Sequence, residues 1–194
     1  MQIKEKIRLS HFEIIGLFGE HDYLIPIKLD SHITAIIAPN GAGKTLCLRL
    51  ISALFAQKWS LFEEVVFTKI TYSFTDGHSV SLTKSKDRER GPEAEKLNLS
   101  VTLPDGKVEK WSPKRMQAPQ EPIERYLPFL TRVGSNRWQH DHTGQSFTFD
   151  RLVETYKSSL PRSIVESAVG SVPKPIAALL GAIYCRLIET QRLL

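Results

Sequence analysis

Cysteine is scarce in this 194-residue chain: only Cys47 and Cys185 occur, far apart and in unrelated contexts. That excludes a disulfide framework and points to reduced thiols. Long hydrophobic runs are missing as well. No stretch approaches the roughly 18–20 apolar residues that a membrane-spanning helix needs. The N-terminal MQIKEKIRLSHFE lacks the apolar core of a secretory signal. A cytoplasmic protein without a membrane span is the expectation. Neither sign of charge dominates, since 26 Lys and Arg against 21 Asp and Glu leave +5. So small an excess fits proteins that hold free phosphates as well as those that touch nucleic acid. There is no internal repeat and no low-complexity tract. At 41% hydrophobic and 24% charged residues, wholesale disorder and collagen-like structure are excluded. The length predicts one domain, with room for an insertion.

What is present begins with β-patterning over residues 7–37. Ile7, Leu9, Phe12, Ile14 and Ile15 form an apolar segment that breaks at Gly16 and Gly19. The alternation from Tyr23 to Leu29 contains Pro26, which restricts it to an edge strand. Ile33-Thr34-Ala35-Ile36-Ile37 is short, apolar and β-branched, the pattern of a strand buried on both faces. Residues 44–57 lack Gly and Pro and repeat Leu46, Leu50, Ile51, Leu54 and Phe55 at helical spacing. Two hairpins follow. Val65–Phe74 turns through Thr75-Asp76-Gly77 into Val80–Leu82, and Leu97–Leu103 turns through Asp105-Gly106 into Val108–Trp111. The charged run 84–96 between them reads as a solvated loop.

From residue 112 the character changes. Seven of the 11 prolines lie between Pro113 and Pro175, around helical candidates at 122–133, 149–158 and 162–169. The chain therefore divides into a β-rich lobe (1–112), a mainly helical insertion (113–176) and a returning segment (177–194). The latter half of that last segment reads as a strand, with a helix through Ala177–Tyr184 equally allowed.

The segment that carries chemistry is Ala38-Pro39-Asn40-Gly41-Ala42-Gly43-Lys44-Thr45. It lies between the apolar run 33–37 and the helix from residue 44, the setting a phosphate-binding P-loop requires. Glycines let successive N–H groups converge on an anion, and the helix turns its positive end toward the same point. Lys44 reaches β- and γ-phosphates as a point charge, and the Thr45 hydroxyl suits a Mg²⁺ that bridges them. Pro39, Asn40, Gly41, Ala42, Gly43, Lys44 and Thr45 are thus the candidate binding residues. The full motif opens with Gly, and Ala38 stands there. Were its φ positive, Ala would cost about 1 kcal/mol.

APNGAGKT after an apolar strand, followed by FTKITYSFTDG and closed by IYCRLIETQRLL, resembles the N-terminal half of ABC-type ATPase heads of the SMC, RecF and OLD group, often labelled AAA-family ATPases. The resemblance implies an α/β fold: a P-loop NTPase lobe with a mixed sheet, antiparallel β-hairpins and a mainly helical insertion. It implies ATP and Mg²⁺ as cofactors, and Gln191 as the glutamine that contacts Mg²⁺ and the attacking water. It further implies a homodimer or a partner protein that supplies the other half-site, and DNA-linked work in repair, chromosome maintenance or anti-phage defence.

Two parts of such heads are missing. No run of four apolar residues ends in Asp-Glu or Asp-Asp, and no Ser-Gly-Gly occurs. Hydrolysis is therefore expected only with a second half that brings a Walker B strand and a signature motif.

Weaker candidates have plainer readings. His140 and His142 are too few for a structural zinc site and suit a solvated turn. Cys185 reads as a small apolar residue rather than a nucleophile. Phe18 or Tyr23 is placed to stack on adenine or to pack in the core. Lys107, Lys110, Lys114 and Arg115, interleaved with acids and Trp111, suit DNA phosphates less well than a solvated hairpin face. Two rival functions stand: a small P-loop kinase with Arg88 and Arg90 in a lid, and a non-catalytic interaction module with a vestigial loop.

Overall fold

A computed structural model describes residues 6–86, 95–113, 123–134, 137–168 and 172–188. The chain forms two units, one of residues up to 112 together with those from 173 onward, the other of residues 113–172.

The first unit is built on a six-stranded sheet. Its strands are β1 (Leu9–Leu17), β2 (His21–Pro26), β3 (Lys69–Phe74), β4 (Ser79–Lys86), β5 (Glu95–Thr102) and β6 (Val108–Trp111). They lie in the order β2-β1-β3-β4-β5-β6. β2 takes the edge, where the missing N–H of Pro26 breaks no ladder. The two expected hairpins are β3–β4 and β5–β6, with Gly77 and Gly106 at φ 88° and 84° in their turns.

Period-two alternation assigns each side chain to a face. One face carries cross-strand apolar rows, Phe12–Tyr72–Val80–Val101 and Ile14–Ile70–Leu82–Leu99, all fully or almost fully buried. The other carries Glu13–Thr71–Ser81–Ser100 and His11–Ser73–Ser79–Thr102. Against the apolar face packs α1 (Lys44–Phe55), which buries Cys47, Leu50, Ala53 and Leu54. The buried Tyr72 hydroxyl donates to the Leu50 carbonyl at 2.8 Å, and Phe55 meets Phe74 edge-on. Each such side chain, fully buried, contributes about 1.5–3 kcal/mol of hydrophobic stabilisation. The short α2 (Trp59–Glu64) buries Phe62. Lys84 from β4 closes its C-terminal end by donating to the carbonyls of Glu63 and Val65 at 2.9 and 2.8 Å.

The second unit holds a three-stranded sheet of β7 (Leu130–Gly134), β8 (Arg137–His140) and β9 (Ser146–Thr148), followed by α3 (Phe149–Tyr156) and α4 (Arg162–Ala168). Trp138, Phe149, Leu152, Ile164 and Leu130 centre its own core. The Trp138 indole donates to the Glu124 carboxylate at 2.9 Å, so its one polar atom is satisfied. A final helix, α5 (Lys174–Gly181), belongs to the first unit and buries Ile176, Leu179 and Leu180.

These observations overturn the α/β expectation. Every strand pair among the described residues is antiparallel, and the sheets are open, unlike the parallel sheet of a P-loop NTPase lobe. The decisive element is 33–37. It forms no strand and pairs with none, and Ile33 and Ile37 are 74% and 93% exposed. A parallel strand needs a hydrogen-bonded neighbour reached by a crossover, and among the described residues the run 33–37 joins no strand ladder. The insertion is likewise not simply helical: beside its helices, 130–148 forms a β-sheet whose strands are only three to five residues long. In the returning segment the helical alternative holds over 177–181, within α5. Residues 184–188 form no strand, and 189–194 lie outside the described residues.

Candidate nucleotide-binding loop

Three features position the loop. The end of β1 packs beside it at Gly43, the run 33–38 leads into it, and α1 leaves from it. Gly41 and Gly43 adopt φ of 85° and 82°, the left-handed region that glycine enters without steric cost. A Cβ on Gly43 would lie 2.8 Å from Leu17 Cδ2 and 3.4 Å from Phe18 Cε2, whereas one on Gly41 would meet nothing within 4 Å. Gly43 is thus required twice over, by its dihedral and by the close approach of the β1 end. Ala38 is not among the non-glycine residues with positive φ, so the departure from Gly at that position costs little.

The Ala42 N–H donates to the Pro39 carbonyl at 3.3 Å, and the Cys47 N–H makes the first helical bond, to Gly43 at 2.9 Å. The N–H groups of Lys44, Thr45 and Leu46 consequently have no partner within the helix. No acidic residue stands in the first turn and no side chain caps it, so the positive end of α1 is uncompensated at the loop. Lys44 Nζ folds back over the loop and donates to the carbonyls of Ala38 at 2.5 Å and Pro39 at 2.7 Å. Pro39, Asn40, Gly41 and Thr45 are exposed, while Ala42, Gly43 and Lys44 are half-buried. The structure therefore brings all seven loop candidates into one arc at the start of α1. Gln191 lies outside the described residues.

A cavity of about 500 Å³ opens beside the loop. Tyr23–Pro26 of β2 form one wall, Thr34–Ala38 the other, and Ala42, Lys44 and Cys47 the end, with Lys28 at the rim. Its described lining includes two lysines and no carboxylate. Burial pushes the Cys47 thiol above its ordinary value, so it lines the cavity as a neutral group. Of the two aromatic candidates for a base, Tyr23 lines this cavity. Phe18 instead sits at the mouth beside Gly43, 49% exposed and at φ 59°. For a bulky aromatic that conformation is a real outlier, costing about 1–2 kcal/mol. The sequence offered no sign of the cavity, because Lys28 and Thr34 belong to no motif.

The remaining candidates fall elsewhere. His140 and His142 share a turn, with ring centroids 6.0 Å apart and the His142 N–H on His140 Nδ1 at 3.2 Å. Among the described residues no group of three or more His, Cys, Asp or Glu could hold a metal ion. Lys107 pairs with Asp105 inside its own turn at 3.1 Å, and Lys110 lies on the edge strand β6. Arg88, Arg90, Lys114 and Arg115 lie outside the described residues. Cys185 is half-buried, and burial raises its thiol above the ordinary value while Ser52 on α1 acts the other way. No helix of the described residues is long and apolar enough to cross a membrane.

No protein-family model matches the chain, and no curated protein matches it either. The functional reading accordingly rests on the loop itself.

Proposed function

We propose that the chain binds ATP with Mg²⁺ through the loop 39–45. The observation that carries this reading is the joint geometry of Gly41, Gly43 and α1: two left-handed glycines deliver the chain into a twelve-residue helix whose free N–H groups and positive end face the loop. A triphosphate fits that arrangement better than a small anion, since Lys44 extends over the loop and Thr45 stands free for a metal. On binding, the Lys44 ammonium would exchange the Ala38 and Pro39 carbonyls for phosphate oxygens. The exchange keeps it hydrogen-bonded while adding charge pairing.

Turnover by this chain alone should be negligible, because its sequence has no apolar run ending in Asp-Glu or Asp-Asp to orient water. We infer that a second half-site comes from another polypeptide segment, a partner protein or a second copy. Ile33, Ile37, Tyr184 and Ile188, all at least 74% exposed, support this. Exposed large apolar side chains on backbone outside the sheets suit surface that is covered in use. The DNA-linked role in repair, chromosome maintenance or anti-phage defence rests on the resemblance of the loop and its flanks.

Titration calorimetry with Mg-ATP on the wild type and on Lys44→Ala tests the proposal. Binding that weakens about tenfold or more in the variant is expected for a lost charge-assisted contact. Equal affinities would refute it. Hydrolysis by the isolated chain should stay below about 1 per second, the low end for enzymes.

A further inference from the structure

Lys44 is not the only cation facing the cavity. Lys28 follows the edge strand β2 and lines the same 500 Å³ space. Its placement is built in, because its backbone N–H donates to the Thr34 hydroxyl at 2.8 Å. That bond ties the end of β2 to the start of the run that leads into the loop. Ile27 meanwhile turns its N–H inward to Ser10 at 2.8 Å. Alternation then directs the backbone groups of Lys28, and those of Leu24 and Pro26, outward to the cavity side. The walls between are apolar: Leu24, Ile25, Ala35, Ile36 and Ile37. Two ammonium groups, no carboxylate and an apolar slot match a ligand with several negative charges and an uncharged, flat part.

We propose that Lys28 is a second cationic ligand for the polyphosphate of a nucleoside triphosphate, and that it biases the cavity toward longer phosphate chains. This rests on the reading of loop 39–45 as a triphosphate site. Lys44 and the helix end serve the phosphates seated in the loop. Lys28, which lines the same cavity outside the loop, meets charge that a monophosphate does not bring. Lysine suits this role because its long stem lies along apolar surface while the charge reaches the ligand. Being exposed, Lys28 can be changed without disturbing the core.

The test is calorimetric binding of Mg-ATP, AMP and inorganic triphosphate to the full chain, in wild type, Lys28→Ala, Lys28→Arg and Lys44→Ala, at two salt concentrations. Lys28→Ala should weaken ATP and triphosphate alike by about tenfold, leave AMP nearly unchanged, and flatten the salt dependence. Lys28→Arg should restore most of the affinity, and the melting temperature should not move. Should Lys28→Ala bind ATP as the wild type does while Lys44→Ala does not, the role of Lys28 is refuted and the loop reading stands. A loss for ATP without a loss for triphosphate would also overturn it. Absence of any binding to wild type would refute the loop reading, and this inference with it.

Discussion

The hairpin sheet of β3–β6 and the run 33–37 are written in the same alphabet. Both carry apolar, β-branched residues, and only the first forms strands. In the sheet, Leu82 and Leu99 are completely buried. In the run, Ile37 is 93% exposed. The difference lies in where the pairing partner comes from. Each sheet strand finds its neighbour across a short turn, so local chemistry completes it. The run 33–37 has a glycine-rich loop and a helix on one side and the polar turn Asp30-Ser31-His32 on the other. Neither brings a strand into hydrogen-bonded register with it. Apolar patterning thus encodes a need for cover, and only chain topology decides whether the chain itself supplies it.

The strongest way to break this comparison is to truncate one residue on each side of it. Leu82→Ala, in the centre of the buried row, should lower unfolding stability by about 2–5 kcal/mol through lost burial and the cavity left behind. Ile37→Ala should change it by less than about 0.5 kcal/mol, as surface substitutions do. Urea titrations of both variants check this. Equal losses would mean that 33–37 is packed after all.

Next in size are the glycines. Gly43→Ala carries the left-handed penalty of about 1–2 kcal/mol and also forces Leu17 aside, because the new Cβ falls 2.8 Å from its methyl group. Gly41→Ala carries the dihedral penalty alone. Thermal melts should therefore rank Gly43→Ala below Gly41→Ala, and both below wild type, with ATP affinity following the same order.

Tyr72→Phe removes a buried hydrogen bond and should cost about 1 kcal/mol. It also probes pH. Burial holds the Tyr72 hydroxyl well above the ordinary tyrosine value, with the Cys47 and Cys185 thiols adding to the shift. A group whose folded pKa is raised contributes stability in full below its unfolded pKa and loses it as pH climbs toward the folded one. Wild-type stability should therefore decline above about pH 10, the ordinary tyrosine value, and Tyr72→Phe should decline less. A parallel decline would assign the alkaline loss to other groups.

The smallest effect on stability concerns the uncovered surface. Ile37→Lys should leave the urea midpoint within about 0.5 kcal/mol of wild type. If 33–37 is the covered face of a self-complex, the variant should nonetheless reduce concentration-dependent association in analytical ultracentrifugation.

Much of the local structure was legible in the sequence. α1, both hairpins and the edge placement of β2 follow from helical spacing, Asp-Gly turns and Pro26, all of which act within a few residues. The glycine turn into α1 was legible too, because Gly41 and Gly43 stand just before a run of helix formers and permit the left-handed backbone found there. Non-local facts were not. The apolar run 33–37 reads as a doubly buried strand, since composition cannot tell a covered strand from one that lacks its neighbour. The sheet at 130–148 hides behind short strands and nearby prolines. The left-handed Phe18 has no local signal whatever, as its conformation is imposed by the turn from β1 and by the bond from its N–H to Val66 at 3.0 Å.

The central claim is that loop 39–45 holds a nucleoside triphosphate. The most direct test is calorimetric titration of the full chain with Mg-ATP beside Lys44→Ala. The account predicts saturable, near-stoichiometric binding to the wild type that falls by about tenfold or more in the variant. Binding of equal strength in both proteins, or none to the wild type, would contradict it.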